Sequence, residues 1–578
     1  MADRKFALPL AALLGVGGVL LAFILTGAAA ANRTPAPPNV VLIFTDDQGW
    51  FSVGVNGNQV IKTPNMDRIA REGVRFNRFY ATPVCTPTRA GLLTGRYYQR
   101  TGAYDTYMGR DTLRADEVTL GDLFHSRGYR TGIFGKWHHG RYMRYHPNNR
   151  GFDEFFGFWQ YGFINRYMDS DELWHNRQPV VTTGYVTDVL TDQAIRFVRQ
   201  NRKRPFFLYL PYNAPHGPHL VPDRYIAPYL KQGVPLPDAR IYGQITSIDD
   251  NLGRLLKTLE ETGLAANTVV IFMTDNGGVS HYLKAGLRGN KGSVYEGGVR
   301  VPFFAKWPGH FPAGAQVNVL AEYVDLFPTF AELIGAPLPK DRKIDGKSLL
   351  QHLRRGRGPR LHNYLYHQWN RVRPNDHDNW AVQDGRWKLV KGALYDLDRD
   401  PGEKTDVAAA HPAIAKRLRR RFQRWFADVT KGQAYDRVPI EVGRPDENPV
   451  ELDITWAEPV GKQVKPQYRH YIRDTVDRWS ERDDFIRWKI DATRAGRYAV
   501  TFSYGCDDAD AGGRFRIQAG DSAVTGSSAS TGGRLIFQTR RIGVLRLPKG
   551  PQTLEIHATK IVGNEPFALH KVWLKRLP

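Results

Sequence analysis

Two short runs without a charge constrain this chain most: Asn39-Val40-Val41-Leu42-Ile43-Phe44-Thr45 and Thr268-Val269-Val270-Ile271-Phe272-Met273. Both are rich in β-branched residues, too short for an ordinary helix and free of polar alternation, so each predicts a strand buried on both faces. Such strands need cover above and below. The sequence supplies it as helical patterns over 65–73, 119–128, 186–200 and 241–262, alternating with further strand-like runs over 129–134 and 205–210. The alternation predicts an α/β fold, a layered and mostly parallel sheet with helices on both faces. In open sheets of that kind, ligand groups collect beyond the carboxyl ends of strands. Asp46-Asp47 follow the first run, and Thr274-Asp275-Asn276-Gly277-Gly278 follow the second.

At 578 residues the chain exceeds one ordinary domain of about 100–200 residues. Arg4 and Lys5 precede an uncharged apolar run over 6–31 that ends in four alanines, the pattern of a secretory signal. The run is also long enough to span a bilayer, so retention as an N-terminal anchor is the alternative. Either way the expected location is periplasmic or extracellular, with membrane contact only through this segment. Residues 32–38, with three prolines, read as a linker, and 39–340 as the main α/β domain. Over 341–430 the pattern changes to short strands and a closing helix near 412–430. After a linker over 431–450, alternating runs at 497–503, 514–518, 541–547 and 553–558 predict a β-sandwich over 451–578. A sugar-binding role for that accessory domain rests on architecture alone.

Two cysteines in such a length exclude a disulfide framework. A formal net charge of +23 implies attraction to polyanions: nucleic acid, an acidic membrane surface or a sulfated polymer. No nucleic-acid module is present, and export argues against that partner. The densest basic run, Lys416-Arg417-Leu418-Arg419-Arg420-Arg421-Phe422, fits a solvated helix face.

Pro83-Val84-Cys85-Thr86-Pro87-Thr88-Arg89-Ala90-Gly91-Leu92-Leu93-Thr94-Gly95 sets one of the cysteines just ahead of a short helical pattern, with Pro87 suited to the first turn. A lone cysteine there is ordinarily a small buried hydrophobe. The whole run, however, resembles the sulfatase signature Cys-x-Pro-x-Arg followed by Leu-Leu-Thr-Gly. The resemblance implies that a maturation enzyme oxidises Cys85 to formylglycine, an aldehyde residue. Its hydrate carries two hydroxyls on one carbon, so one can attack and the other can expel the product, which a serine or thiol cannot do.

Were Asp46, Asp47 and Asp275 to converge within ~4 Å, each pair would repel by about 4 kcal/mol at an effective dielectric of 20, so positive charge must lie between them. Hard oxygen donors favour Ca²⁺ or Mg²⁺ over zinc. The resemblance makes Asp46, Asp47, Asp275 and Asn276 ligands of a metal, Ca²⁺ ahead of Mg²⁺, with the residue derived from Cys85 completing the site. Gly128 to His138 is similar to the second family signature, ending Gly-Lys-Trp-His. It implies that Lys136 binds a sulfate oxygen and that His138 takes a proton from the hydrate. Tyr212-Asn213-Ala214-Pro215-His216-Gly217-Pro218-His219 resembles the family's Pro-His-x-Pro-His turn and makes His216 a sulfate ligand and proton donor. The segment from Arg288 to Pro302 resembles the family segment that carries the last lysine, which implies that Lys291 stabilises the leaving oxygen and that Arg89 supports the hydrate. The acid role stays open between His216 and Lys291. Trp137, His139, His219, His281 and Asn370 are candidates for the leaving-group side.

The resemblance spans roughly 39–430 and implies an alkaline-phosphatase-like fold and a sulfatase cleaving S–O bonds through a sulfated-enzyme intermediate. A sulfated glycan is the favoured substrate class. The rivals are a phosphonate monoester or phosphodiester hydrolase of the same superfamily and a catalytically silent polyanion-binding protein.

Overall fold

The structure, a computed structural model, describes residue 1 and residues 36–280, 285–467, 474–481 and 483–578. The apolar run at 6–31 and His281 lie outside the described residues. Among the described residues no helix is long and apolar enough to cross a membrane.

A ten-stranded sheet organises the first part of the chain, in the order Ala315–Val317, Val74–Phe76, Phe303–Lys306, Thr268–Thr274, Asn39–Thr45, Phe206–Pro211, Arg130–Lys136, Glu154–Phe158, Leu173–His175, Gln178–Val180. From Thr268–Thr274 to Glu154–Phe158 neighbouring strands run parallel; the strands flanking this centre pair antiparallel, except that the edge strand Ala315–Val317 runs parallel to Val74–Phe76. Burial on both faces is visible residue by residue. Val40, Leu42 and Phe44 enter one core, while Val41 and Ile43 enter the other, and Thr268–Thr274 divides in the same way. One core is roofed by Pro64–Arg71, Val186–Gln200, Asp223–Leu230 and Leu236–Glu261. The other lies under Cys85–Thr94, Leu120–His125 and Leu326–Leu333.

The helix expected over 119–128 occupies Leu120–His125, with Thr119 as a capping-box residue paired with Asp122. The long helix begins at Leu236 rather than 241, because Pro237 sits in its first turn, where a missing N–H costs nothing. Asp223–Leu230 was not expected as a helix: Pro228 lies inside it and hides the pattern.

A four-stranded antiparallel sheet, from Leu365–Gln368 to Ala393–Asp396, follows. Helix Pro412–Thr430 closes it, burying Leu418, Phe422, Trp425 and Val429, with Phe422 stacked on Trp380 at 4.4 Å. Beyond it, two six-stranded sheets pack face to face over a core that includes Trp488, Phe502, Phe515, Ile556 and Leu574. One boundary differs from expectation. Within the stretch 431–450, read as a linker, Ile440–Val442 pairs parallel with Ile490, Asp491 and Ala492 and buries Ile440 and Val442 in the sandwich core. A three-residue strand between Pro439 and Gly443 is too short for its alternation to show in sequence.

His146 gives the fold a titratable weak point. It is fully buried, edge-on to Phe155 and Trp159, and 2.9 Å from the Asn176 carbonyl oxygen. Nδ1 accepts from the Asn148 N–H at 3.2 Å, which fixes the neutral ring. Burial lowers its pKa from 6.5 to about 4. Between those values the unfolded chain binds the extra proton, so stability falls as pH drops through this window, by up to about 3 kcal/mol. Urea unfolding at pH 7 and pH 4.5 should therefore show a smaller stability loss for His146→Gln than for the unaltered protein; equal losses would refute the assignment.

Candidate active site

Thr45 and Thr274 are in register on adjacent parallel strands, so Asp46-Asp47 and Asp275-Asn276 emerge side by side at the carboxyl edge. Asp46, Asp275 and Asn276 are fully buried, and Asp47 nearly so. Asp47 holds a left-handed backbone (φ 67°), a strained state that persists only where surroundings enforce it. Its N–H donates to Asp275 Oδ1 at 3.0 Å, and its Oδ1 accepts from Asn276 Nδ2 at 2.8 Å.

Three cations converge on these carboxylates from three separate elements. Arg89, fully buried in helix Cys85–Thr94, donates through Nε and Nη2 to Asp275 Oδ2 at 3.1 and 2.8 Å and lies 3.4 Å from Asp46 Oδ2. Lys136, last residue of its strand, meets Asp46 Oδ2 at 2.5 Å. Lys291 Nζ reaches Asp47 Oδ2 at 2.8 Å, on a loop tied down by the Gly292 N–H donating to the Pro83 carbonyl. Cys85 opens the helix and stands one turn from Arg89, on the same face. Single ligand atoms of Asp46, Cys85 and Asp275 lie within 4.8 Å of one another, as do those of Asp46, Asp47 and His216. His216 Nε2 is 3.8 Å from Asp47 Oδ2, with the ring parallel to Phe163.

His138, also left-handed (φ 62°), sits with Nε2 at 2.8 Å from the Thr106 carbonyl, which leaves Nδ1 as acceptor, 3.0 Å from the Thr86 hydroxyl. Nothing in the sequence singles out Thr86, although it directly follows Cys85. All the residues named as catalytic or metal-binding thus meet at one place. Two of the leaving-group candidates lie in the core instead. Trp137 and His139 are buried beneath the site, the indole N–H donating to the Tyr145 carbonyl at 2.8 Å. His219 pairs with Gln244, and Asn370 donates to the Asp378 carbonyl.

The electrostatics follow from burial and charge balance. Burial alone would neutralise Asp46, but Lys136, then His216, Arg89 and Lys291, hold it well below the usual carboxylate range. Burial and the neighbouring Asp46 push Asp275 up to about 7 against the opposing Arg89. Full ionisation of the cluster therefore calls for more positive charge. Asp46 Oδ1 and Asn276 Oδ1 are buried without a hydrogen-bond partner, which fits a hard cation bound by oxygen. Burial also raises the Cys85 thiol pKa despite Lys136 and Lys291, so a thiolate nucleophile is disfavoured at neutral pH. His138 is held neutral by burial and by Lys136.

The family model described as Sulfatase matches residues 38–336. The chain belongs to the sulfatase family. A second model, N-sulphoglucosamine sulphohydrolase, C-terminal, matches residues 289–428 of this sulfatase. The N-acetylgalactosamine-6-sulfatase of Mus musculus is 35% identical over 58% of this chain and 70% of its own length. Arylsulfatase A of Homo sapiens is 31% identical over 68% and 89%. The crystal structure of Ps i-CgsB in complex with k-i-k-neocarrahexaose superposes with a TM-score of 0.64 at 32% identity, over 69% of this chain and 95% of that one. The layered sheet is accordingly the alkaline-phosphatase-like fold of this family, followed here by an additional C-terminal β-sheet region. The enzyme hydrolyses sulfate esters.

If the orphaned oxygens hold a dication, adding Ca²⁺ to EDTA-treated enzyme should raise its melting temperature, by the equivalent of about 2.7 kcal/mol at 100 times Kd. In Asp275→Asn that shift should shrink or vanish; an undiminished shift in the variant would contradict the site.

Proposed function

We propose that this sulfatase removes sulfate from a sulfated carbohydrate outside the cytoplasm, using an aldehyde residue formed from Cys85 and a divalent cation held by Asp46, Asp47, Asp275 and Asn276. The observation that carries this reading is the place of Cys85: buried at a helix start, grouped with two metal-type carboxylates, and kept a neutral thiol with no task of its own.

Asp46, Asp47 and Asp275 are balanced by Arg89, Lys136 and Lys291, so the cluster has no net formal charge by itself. When bound, the cation and the aldehyde hydrate would supply positive charge for sulfate oxygens and an attacking hydroxyl. Lys136 and Lys291, paired with Asp46 and Asp47, bring ammonium groups to the same place, where a tetrahedral anion would be a further partner for them. Arg89, locked on Asp275, orients that carboxylate and shields Asp46. His138, with its proton fixed on Nε2 by the Thr106 carbonyl, presents Nδ1 to accept a proton beside residue 85. Lys291, whose pKa is raised because Asp47 outweighs burial, stays charged and stabilises the leaving oxygen. His216, whose pKa burial lowers, is the second group on that side, 3.8 Å from the same Asp47 oxygen, and the proton for the leaving oxygen comes from it or from Lys291.

The carbohydrate class is supported by the sulfatases this chain resembles, named for N-acetylgalactosamine 6-sulfate and solved with a neocarrahexaose, and by the net charge of +23. Export is supported by the basic, then apolar, N-terminal sequence.

Turnover of 4-nitrophenyl sulfate, the matching phenylphosphonate ester and sulfated galactose and galactosamine oligosaccharides tests this. Sulfate release from an oligosaccharide should exceed phosphonate turnover, and Cys85→Ala should lower kcat by at least about 10³-fold. Faster phosphonate than sulfate hydrolysis, or a Cys85→Ala variant with normal turnover, would overturn it.

A further inference from the structure

The C-terminal sandwich is packed against the segment that carries His138, not hung from a free tether. After Lys136 the chain passes through His138 and turns at Gly140 into Arg141, whose side chain is 11% exposed. Arg141 pairs with Asp453 and, at 2.9 Å, with Glu451, both on the sandwich side. It also lies 4.8 Å over the ring of Tyr161. The next residue, Gly162, is pressed so closely on His138 that an added Cβ would stand 2.5 Å from ring atoms Cε1 and Nε2.

A second line of contacts also reaches the imidazole at Nε2. Trp456 packs on Gly109, where a Cβ would stand 2.7 Å from the indole, and edge-on to Tyr142 at 5.0 Å. Gly109 belongs to the loop whose Thr106 carbonyl meets His138 Nε2 at 2.8 Å. Tyr142 and Tyr145 enter the sandwich core, and the Tyr145 carbonyl accepts from Trp137, the residue before His138. Asp453 is itself fixed from within: its carbonyl accepts from Trp488 Nε1 at 2.7 Å and its Oδ1 from the Thr455 N–H at 2.8 Å. Both matched family models end by residue 428, so every sandwich group in this network comes from beyond them.

We propose that the sandwich braces His138 for proton transfer, with Arg141 and Asp453 as positioning residues that act through the imidazole. An imidazole misplaced by even ~1 Å loses much of its effect on rate, whereas sulfate binding by the lysines and the cation would be left intact. The inference rests on His138 as the proton acceptor proposed above.

The test uses full-length protein with 4-nitrophenyl sulfate. Asp453→Asn should lower kcat by roughly 10- to 100-fold with KM changed less than about 3-fold and with the Ca²⁺-induced melting shift retained. Arg141→Lys, which keeps the charge, should recover part of the activity lost in Arg141→Met. In a His138→Gln background Asp453→Asn should cost almost nothing more, because both act on one step. If Asp453→Asn does not fold, Glu451→Gln and Trp456→Phe enter the same cycle. A normal kcat in these variants, or losses that multiply in the His138→Gln background, would overturn the brace while leaving His138 in place. Normal turnover of His138→Gln itself would instead remove the proton-acceptor role on which the inference rests.

Discussion

Three carboxylates buried at the ends of two adjacent parallel strands are the constraint from which the rest of this site follows. Their crowding is imposed by register: with Thr45 opposite Thr274, the residues that follow have nowhere to diverge before they meet. Ionised carboxylates out of water are tolerated only with compensating charge and hydrogen bonds. That requirement explains why a helix, a third strand and a loop each deliver one cation to the same spot, and why Arg89 is fully buried. The sheet makes this affordable because its centre is covered on both faces and gives the strand ends a rigid base.

The same balance points toward function. A cluster whose acids and bases cancel has no electrostatic reason to attract an anion, but one that also holds a dication gains two positive charges and becomes complementary to a sulfate ester. Membership of the sulfatase family implies a formylglycine at this position, and the surroundings of Cys85 suit its precursor. Among these groups its thiol pKa rises, so thiolate chemistry at neutral pH runs against its surroundings. A neutral residue bearing hydroxyls does not face that penalty.

Much of this was legible in the sequence because the relevant signals are local. Uncharged β-branched runs revealed the central strands, and acidic residues directly after them revealed the carboxyl edge. The segments bearing Cys85, Lys136, His216 and Lys291 could be recognised from their neighbours in sequence. What escaped depends on three-dimensional proximity. Thr86, the Thr106 carbonyl and Gly162 surround His138 from three parts of the chain, and no spacing announces that. Adjacency in sequence misled for Trp137 and His139, which flank His138 but point into the core. The strand Ile440–Val442 and the helix Asp223–Leu230 escaped for lack of length and because of an internal proline.

The C-terminal sandwich changes how the molecule is divided. Its buried pairs with Arg141 and its packing on Gly109 make it a wall behind the catalytic segment, so stability of that contact and performance of the site are coupled. All of this gains its chemical meaning from the state of one residue. Mass spectrometry of the tryptic peptide spanning residues 79–89, taken from active enzyme, tests that most directly: conversion of the thiol to an aldehyde makes it about 18 Da lighter. Fully active enzyme whose peptide retains the mass of unmodified cysteine would contradict the account.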